Sequence, residues 1–144
     1  MGILEMILPV VDAFHSLLTC NIPSKVQDVR FGFIETTASW VPYMVTELNR
    51  THGRMAWMRS FDLRQNILAE NRLYVSCDNF DDMDHIIGLV GDDNFVIGSD
   101  YGHADMSAEI DALAILARKG QEGEPRKASV AKILDDNARS LYGI

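Results

Sequence analysis

Nowhere in this 144-residue chain do apolar residues run unbroken for the ~18 positions that a membrane-spanning helix requires. Cysteine is scarce as well. Cys20 and Cys77 stand far apart and form no CxxC pair, which argues against a disulfide scaffold or a zinc ribbon and leaves two free thiols suited to a reducing cytoplasm. Basic charge is in deficit, with 13 Lys and Arg against 21 Asp and Glu, a net charge of −8 and a pI near 4.8. A field of that sign repels phosphate backbones and anionic lipid surfaces, so neither nucleic acid nor membrane is an expected partner. No HxH or HExxH pair occurs, so the chain lacks a self-contained histidine zinc site. The segment Met1 to Pro9 carries Glu5 and no basic residue, which fits neither a secretory signal nor a transit peptide, and a cytoplasmic chain is expected.

What is present is the composition of a protein with a packed core: 47% hydrophobic, 24% charged and 8% aromatic residues. The length suits one domain, residues 1–144, and the one linker-like stretch, Lys119 to Arg126, reads as a surface loop. Hydrophobic periodicity alternates between two types. Ile3, Met6, Ile7, Val10, Phe14, Leu17 and Leu18 recur at helical spacing, with Pro9 kinking or starting that helix, and Val29 to Ile34 then reads as a strand. Helix follows from Trp40 to Asn49 with Ser39 as candidate N-cap, then from Phe61 to Ala69, before the strand Leu73 to Cys77. Asp81, Asp82 and Asp84 open a helix that Gly91 ends; Asn94 to Ile97 is a third strand, and helices over 107–118 and 129–141 close the chain. Strands separated by helical crossovers pair in parallel, so the fold class is α/β. Three such strands make either a small open sheet or a piece of a closed barrel.

Parallel α/β sheets bind ligands at the carboxyl ends of their strands, which directs attention to Glu35, to Cys77 and Asp78, and to Gly98-Ser-Asp-Tyr-Gly-His-Ala-Asp105. The last is the most informative. Its apolar strand delivers Asp100 to the rim with His103 within one turn, a pattern suited to metal binding or proton transfer; the plainer reading makes Asp100 a turn cap and His103 a surface residue. Glu35 serves equally as a rim carboxylate or as a partner to a nearby cation or cap. Cys77 reads as a small buried residue, the Asp81 to His85 cluster as a helix start, and Asp92-Asp93-Asn94 as a turn lacking the Gly and distal Glu of a calcium loop.

Three stretches taken together resemble one family. Phe33-Ile-Glu-Thr-Thr-Ala-Ser-Trp-Val-Pro42, Val96-Ile-Gly-Ser-Asp-Tyr-Gly-His103 and Ile133-Leu-Asp-Asp-Asn-Ala-Arg-Ser-Leu-Tyr-Gly-Ile144 are similar, in order and spacing, to the C-terminal part of the amidohydrolase-related family (amidohydrolase 2), which includes aminocarboxymuconate-semialdehyde decarboxylase. The resemblance spans residues 9 to 144. Thr37 stands where the family often has glycine, and Gly102 where it often has proline.

The resemblance implies the last part of a TIM (β/α)8 barrel, about three parallel strands with covering helices, since a whole barrel takes ~250 residues. It implies a metal-dependent hydrolase or decarboxylase acting on a small organic acid, with a divalent metal, zinc, in the complete enzyme. Asp100 then corresponds to the last-strand aspartate that binds the metal and takes part in catalysis, with Glu35 and His103 touching substrate or supporting it. The family's HxH and middle-strand histidine have no counterpart, so this chain by itself is expected to bind no metal tightly and to be inactive. Self-association or a missing N-terminal half is the expected partner besides a small-molecule substrate. The alternative is a truncated, non-catalytic remnant serving as an oligomerisation or binding module.

Overall fold

The computed structural model describes residues 3–52, 66–103 and 108–144. In chain order its elements are α1 (Ile3–Thr19), α2 (Ile22–Lys25), β1 (Phe31–Phe33), α3 (Val41–His52), α4 (Ile67–Glu70), β2 (Leu73–Cys77), α5 (Met83–Val90), β3 (Phe95–Ile97), α6 (Ala112–Glu122), α7 (Lys127–Ala131) and α8 (Asn137–Tyr142). A π-helical stretch, Lys132–Asp136, joins the last two. The strands form one parallel sheet in the order β1-β2-β3, with Phe33 beside Val75 and Val75 beside Phe95. Parallel pairing follows from the crossovers, because a tight hairpin can join only antiparallel strands. No helix among the described residues is long and apolar enough to cross a membrane.

Several boundaries differ from the sequence pattern for local reasons. The first strand starts at Phe31 rather than Val29, whose N–H is taken by the Val26 carbonyl at 3.1 Å in a turn and whose carbonyl accepts from the Arg72 guanidinium at 3.0 Å. The predicted N-cap Ser39 is displaced by Trp40, whose carbonyl accepts from Met44 N–H at 3.1 Å, while the Ser39 hydroxyl lies 3.1 Å from that of Thr37. Of the helix predicted from Phe61, residues 61–65 lie outside the described part, and the rest is the single turn α4, entered through Asn66 in a left-handed conformation (φ 54°). The helix predicted over 107–118 begins at Ala112 and runs on to Glu122, where Gly123 ends it at φ 97°. Residue 107 is likewise outside. The helix over 83–90 is as predicted, with Asp82 as N-cap accepting from His85 N–H at 3.1 Å and Gly91 at its end.

Side chains alternate across a strand, so β2 sends Leu73, Val75 and Cys77 to one face and Tyr74 and Ser76 to the other, and all five are buried. The first face meets the helices. Phe33, Val75 and Phe95 form a row across the sheet that joins Phe14 and Leu18 of α1, Val41, Met44 and Leu48 of α3, and Ile86 of α5 in one core. Phe14, Phe33 and Trp40 contact each other edge to face, with centroids 5.0–5.7 Å apart. Each large side chain buried there contributes about 1.5–3 kcal/mol. An exposed ion pair such as Arg139 with Asp135 is screened by solvent and adds little, so apolar burial decides the packing.

The other face is met by the C-terminal helix. The Tyr74 hydroxyl lies 2.7 Å from Ser140 Oγ, and a Cβ built on Gly32 would come within 3.8 Å of Leu141. Asn137, which is buried, donates from its amide to the Asp92 and Phe95 carbonyls, each at 2.8 Å, and so ties the start of α8 to the entry of β3. Lys132 sits between Asp92 and Asp93 at 2.6 Å from each, and Ser129 donates to Asp92 at 2.7 Å.

Burial by itself would raise the Asp92 carboxyl, but hydrogen bonds from Lys132 and Ser129 and the Lys132 charge hold it below the ordinary aspartate value. A carboxyl depressed in the folded state adds stability that is complete above its ordinary pKa of 3.8 and is lost as pH falls toward the lower folded value. Lys132→Met should therefore flatten the loss of stability on acidification below that point, as read from urea midpoints across the acid range. An unchanged acid profile would show that the staple contributes nothing.

Candidate metal centre

Three loops leave the carboxyl ends of the strands, and each is held by side chains of its neighbour. After β1, the Thr36 N–H donates to Ser76 Oγ on β2 at 3.1 Å, and the Thr36 hydroxyl turns back to the Phe33 carbonyl at 3.1 Å. Two residues further on, the Ala38 N–H donates to Asp81 Oδ2 at 2.9 Å, and the same oxygen accepts from Asp78 N–H at 2.9 Å. Asp81 is thus a latch between the β1 and β2 loops rather than a helix-start residue only. Burial pushes its carboxyl above the ordinary value, and the Asp78 and Ala38 N–H donors pull it back in part. The β3 loop is fixed in turn by Ser99, whose carbonyl accepts from Glu109 N–H at 3.0 Å, and by the buried Asn79, whose amide donates to Glu109 at 2.6 Å and to the Ala112 carbonyl at 3.0 Å.

This framework brings Glu35, Asp100 and His103 together, each offering a ligand atom within 4.8 Å of the others. His103 Nδ1 lies 2.7 Å from Asp100 Oδ2 and 3.6 Å from Glu35 Oε1. The backbone makes the meeting possible. Glu35 (φ 64°), Thr37 (φ 52°) and Asp100 (φ 53°) all adopt the left-handed conformation that turns the chain sharply just past the strand ends. The His103 N–H returns to the Asp100 carbonyl at 3.2 Å, closing a turn whose Gly102 has φ 99°. A proline, fixed near φ −65°, cannot occupy that position, which glycine fills without strain. Thr37 is the reverse case: a β-branched residue stands in a left-handed position that glycine adopts at no steric cost.

The remaining rim residues do other work. Burial, reinforced by the Asp81 and Asp78 charges, pushes the Cys77 thiol up to about 12, which makes it a packing residue and not a nucleophile. Asp78 Oδ1 accepts from the Phe80 and Asp81 N–H groups at 2.7 and 3.1 Å and shapes its own loop. Asp105 lies outside the described residues. A cavity of about 480 Å³ opens between the β2 loop and α6, lined by Asp78, Asp82, Lys119 and Glu122, but none of the three converging residues borders it. We place the candidate chemistry at the trio, because Asp78, Asp81 and Asp82, which line the cavity, are occupied as backbone acceptors.

Substitutions at two positions test this framework. Asp81→Ala would strand two part-buried N–H groups and should cost about 1–3 kcal/mol, whereas Asp81→Asn keeps an oxygen acceptor, removes a buried charge and should cost far less. Equal losses in urea unfolding would contradict the latch. Thr37→Gly should raise the melting temperature, since relief of about 1–2 kcal/mol of left-handed strain outweighs the ~0.5–1 kcal/mol entropic cost of glycine. A lowered melting temperature would mean that the Thr37 conformation carries no net strain.

No protein-family model and no curated protein matches the sequence. Among solved structures, an amidohydrolase from Mycobacterium avium subsp. paratuberculosis K-10 is similar, with a TM-score of 0.74 at 17% identity over 94% of this chain and 33% of its own. The chain therefore spans about a third of that relative's length. The likeness is one of fold: three parallel strands with covering helices, as in part of an amidohydrolase TIM barrel.

Proposed function

We propose that this chain is the C-terminal portion of a metal-dependent hydrolase or decarboxylase of the amidohydrolase-related family, acting on a small organic acid. The reading treats residues 1–144 as a partial barrel domain whose remaining strands come from further sequence or from another chain, with self-association as the other way to cover the sheet edges at β1 and β3. The observation that carries it is the convergence of Glu35, Asp100 and His103 from the ends of β1 and β3. Two carboxylates and an imidazole are a donor set that suits a divalent ion such as zinc, so the residues present fit the group that the resemblance implies.

Asp100 would hold the metal, and Glu35 and His103 would lie beside it on the side from which substrate enters. The bound metal would supply Lewis acidity toward a carbonyl or carboxyl oxygen. Asp100 is part-buried and offers a second carboxylate oxygen as proton acceptor, while its contact with His103 Nδ1 fixes the carboxylate plane. Glu35 and His103 are more exposed than Asp100, as groups that contact an incoming ligand must be. The left-handed backbone at Glu35 and Asp100 is the kind of local strain that accumulates where side chains are held for chemistry.

The test is Asp100→Asn in the assembled barrel, assayed for hydrolysis and decarboxylation against a panel of small aromatic and aliphatic carboxylic acids. The amide preserves size but removes the charge, so kcat/KM should fall by at least about a hundredfold, some 2.7 kcal/mol of transition-state stabilisation, with little change in unfolding midpoint. Full activity with wild-type metal content would overturn the assignment. Catalytic silence of the assembled wild-type protein across the panel, together with dilution-resistant self-association of this chain, would favour the binding-module reading.

A further inference from the structure

Resting on the choice of site above, we propose that Glu35 and His103 are themselves metal ligands alongside Asp100, so that this chain holds one divalent transition-metal ion without any histidine from elsewhere. The distances lead there. Oxygen and nitrogen ligands about 2.1 Å from a zinc ion stand about 3.0–3.5 Å apart at octahedral to tetrahedral angles. The His103 Nδ1 to Glu35 Oε1 separation of 3.6 Å is already close to that spacing, and the 2.7 Å between Nδ1 and Asp100 Oδ2 needs to open by only a few tenths of an ångström.

Electrostatics favours the same arrangement. Within the trio two carboxylates face one ring nitrogen, and an Nδ1 hydrogen can point at only one of them. The two negative charges repel each other, and a divalent cation between them turns that repulsion into attraction. For Nδ1 to ligate, the imidazole hydrogen moves to Nε2 and the Nδ1 lone pair turns toward the ion; the proton count of the neutral ring does not change. Imidazole nitrogen with two carboxylate oxygens selects zinc, manganese or cobalt over the hard, all-oxygen cations calcium and magnesium. The side chains also have room to adjust, since Glu35 and His103 are each 56% exposed.

The probe is Zn2+ alone, titrated calorimetrically into the full chain, with Co2+ absorption as an independent reading of nitrogen ligation. The expected result is one ion per chain, weakened about tenfold or more by each of Glu35→Gln, His103→Asn and Asp100→Asn, and unaffected by His85→Asn on α5. The Co2+ bands should shift on His103→Asn. Far-UV circular dichroism checks each variant against wild type; should a variant lose helix content, Glu35→Asp or His103→Gln takes its place. Absence of uptake by the folded wild-type chain overturns the proposal. So does uptake that depends on Asp100 but not on Glu35 or His103, a result that leaves the Asp100 role in the assembled enzyme intact. Catalytic silence of the assembled wild-type enzyme while this chain still takes up Zn2+ through the three residues would count against the proposed reaction and support the site.

Discussion

Everything else in the molecule depends on the burial of β2 from both sides. A strand whose five side chains are all excluded from water has to be covered on each face, and its N–H and C=O groups have to be paired on each edge. The edges are met by β1 and β3 in parallel register. One face is met by α1, α3 and α5 through a continuous apolar core, the other by α8 through Tyr74 and Ser140. Because parallel pairing forces every strand to end on the same side, the three loops that follow have no choice but to crowd together there.

Crowding alone does not place three side chains within ligand distance of one another. That takes a second set of contacts, almost all from polar side chains to backbone. Asp81 grips the β1 loop, Asn79 reaches the segment after the β3 loop, and Ser76 pins Thr36 from within the sheet. Sharp left-handed turns are then imposed on residues that do not favour them, at a local cost of about 1–2 kcal/mol each, which the surrounding network has to offset. The rim is therefore rigid by the same hydrogen bonds that strain it.

The sequence shows the parts of this that are local. Helical spacing in residues 83–90 with Asp82 before and Gly91 after was sufficient to define α5, and apolar runs were sufficient to locate β2 and β3, because short-range patterning and capping decide such elements. Asp100 and His103 are three residues apart, so their meeting could be anticipated from spacing. The Asp81 latch could not, since its partner Ala38 is 43 residues away and the same aspartate also suits a first helical turn. Nor could the left-handed state of Thr37, because a β-branched residue is the last place to look for positive φ. The π-helical stretch in the C-terminal helix likewise has no signature in a run that reads as uniformly helical.

The contrast between the two thiols has a practical side. Burial pushes the Cys77 thiol far above neutral pH, so it stays protonated, and its sulfur is shielded by the sheet. Cys20 is exposed at the end of α1. Thiol-directed reagents should thus mark the native chain at one position and the unfolded chain at two, which turns the stoichiometry of labelling into a direct count of folded molecules.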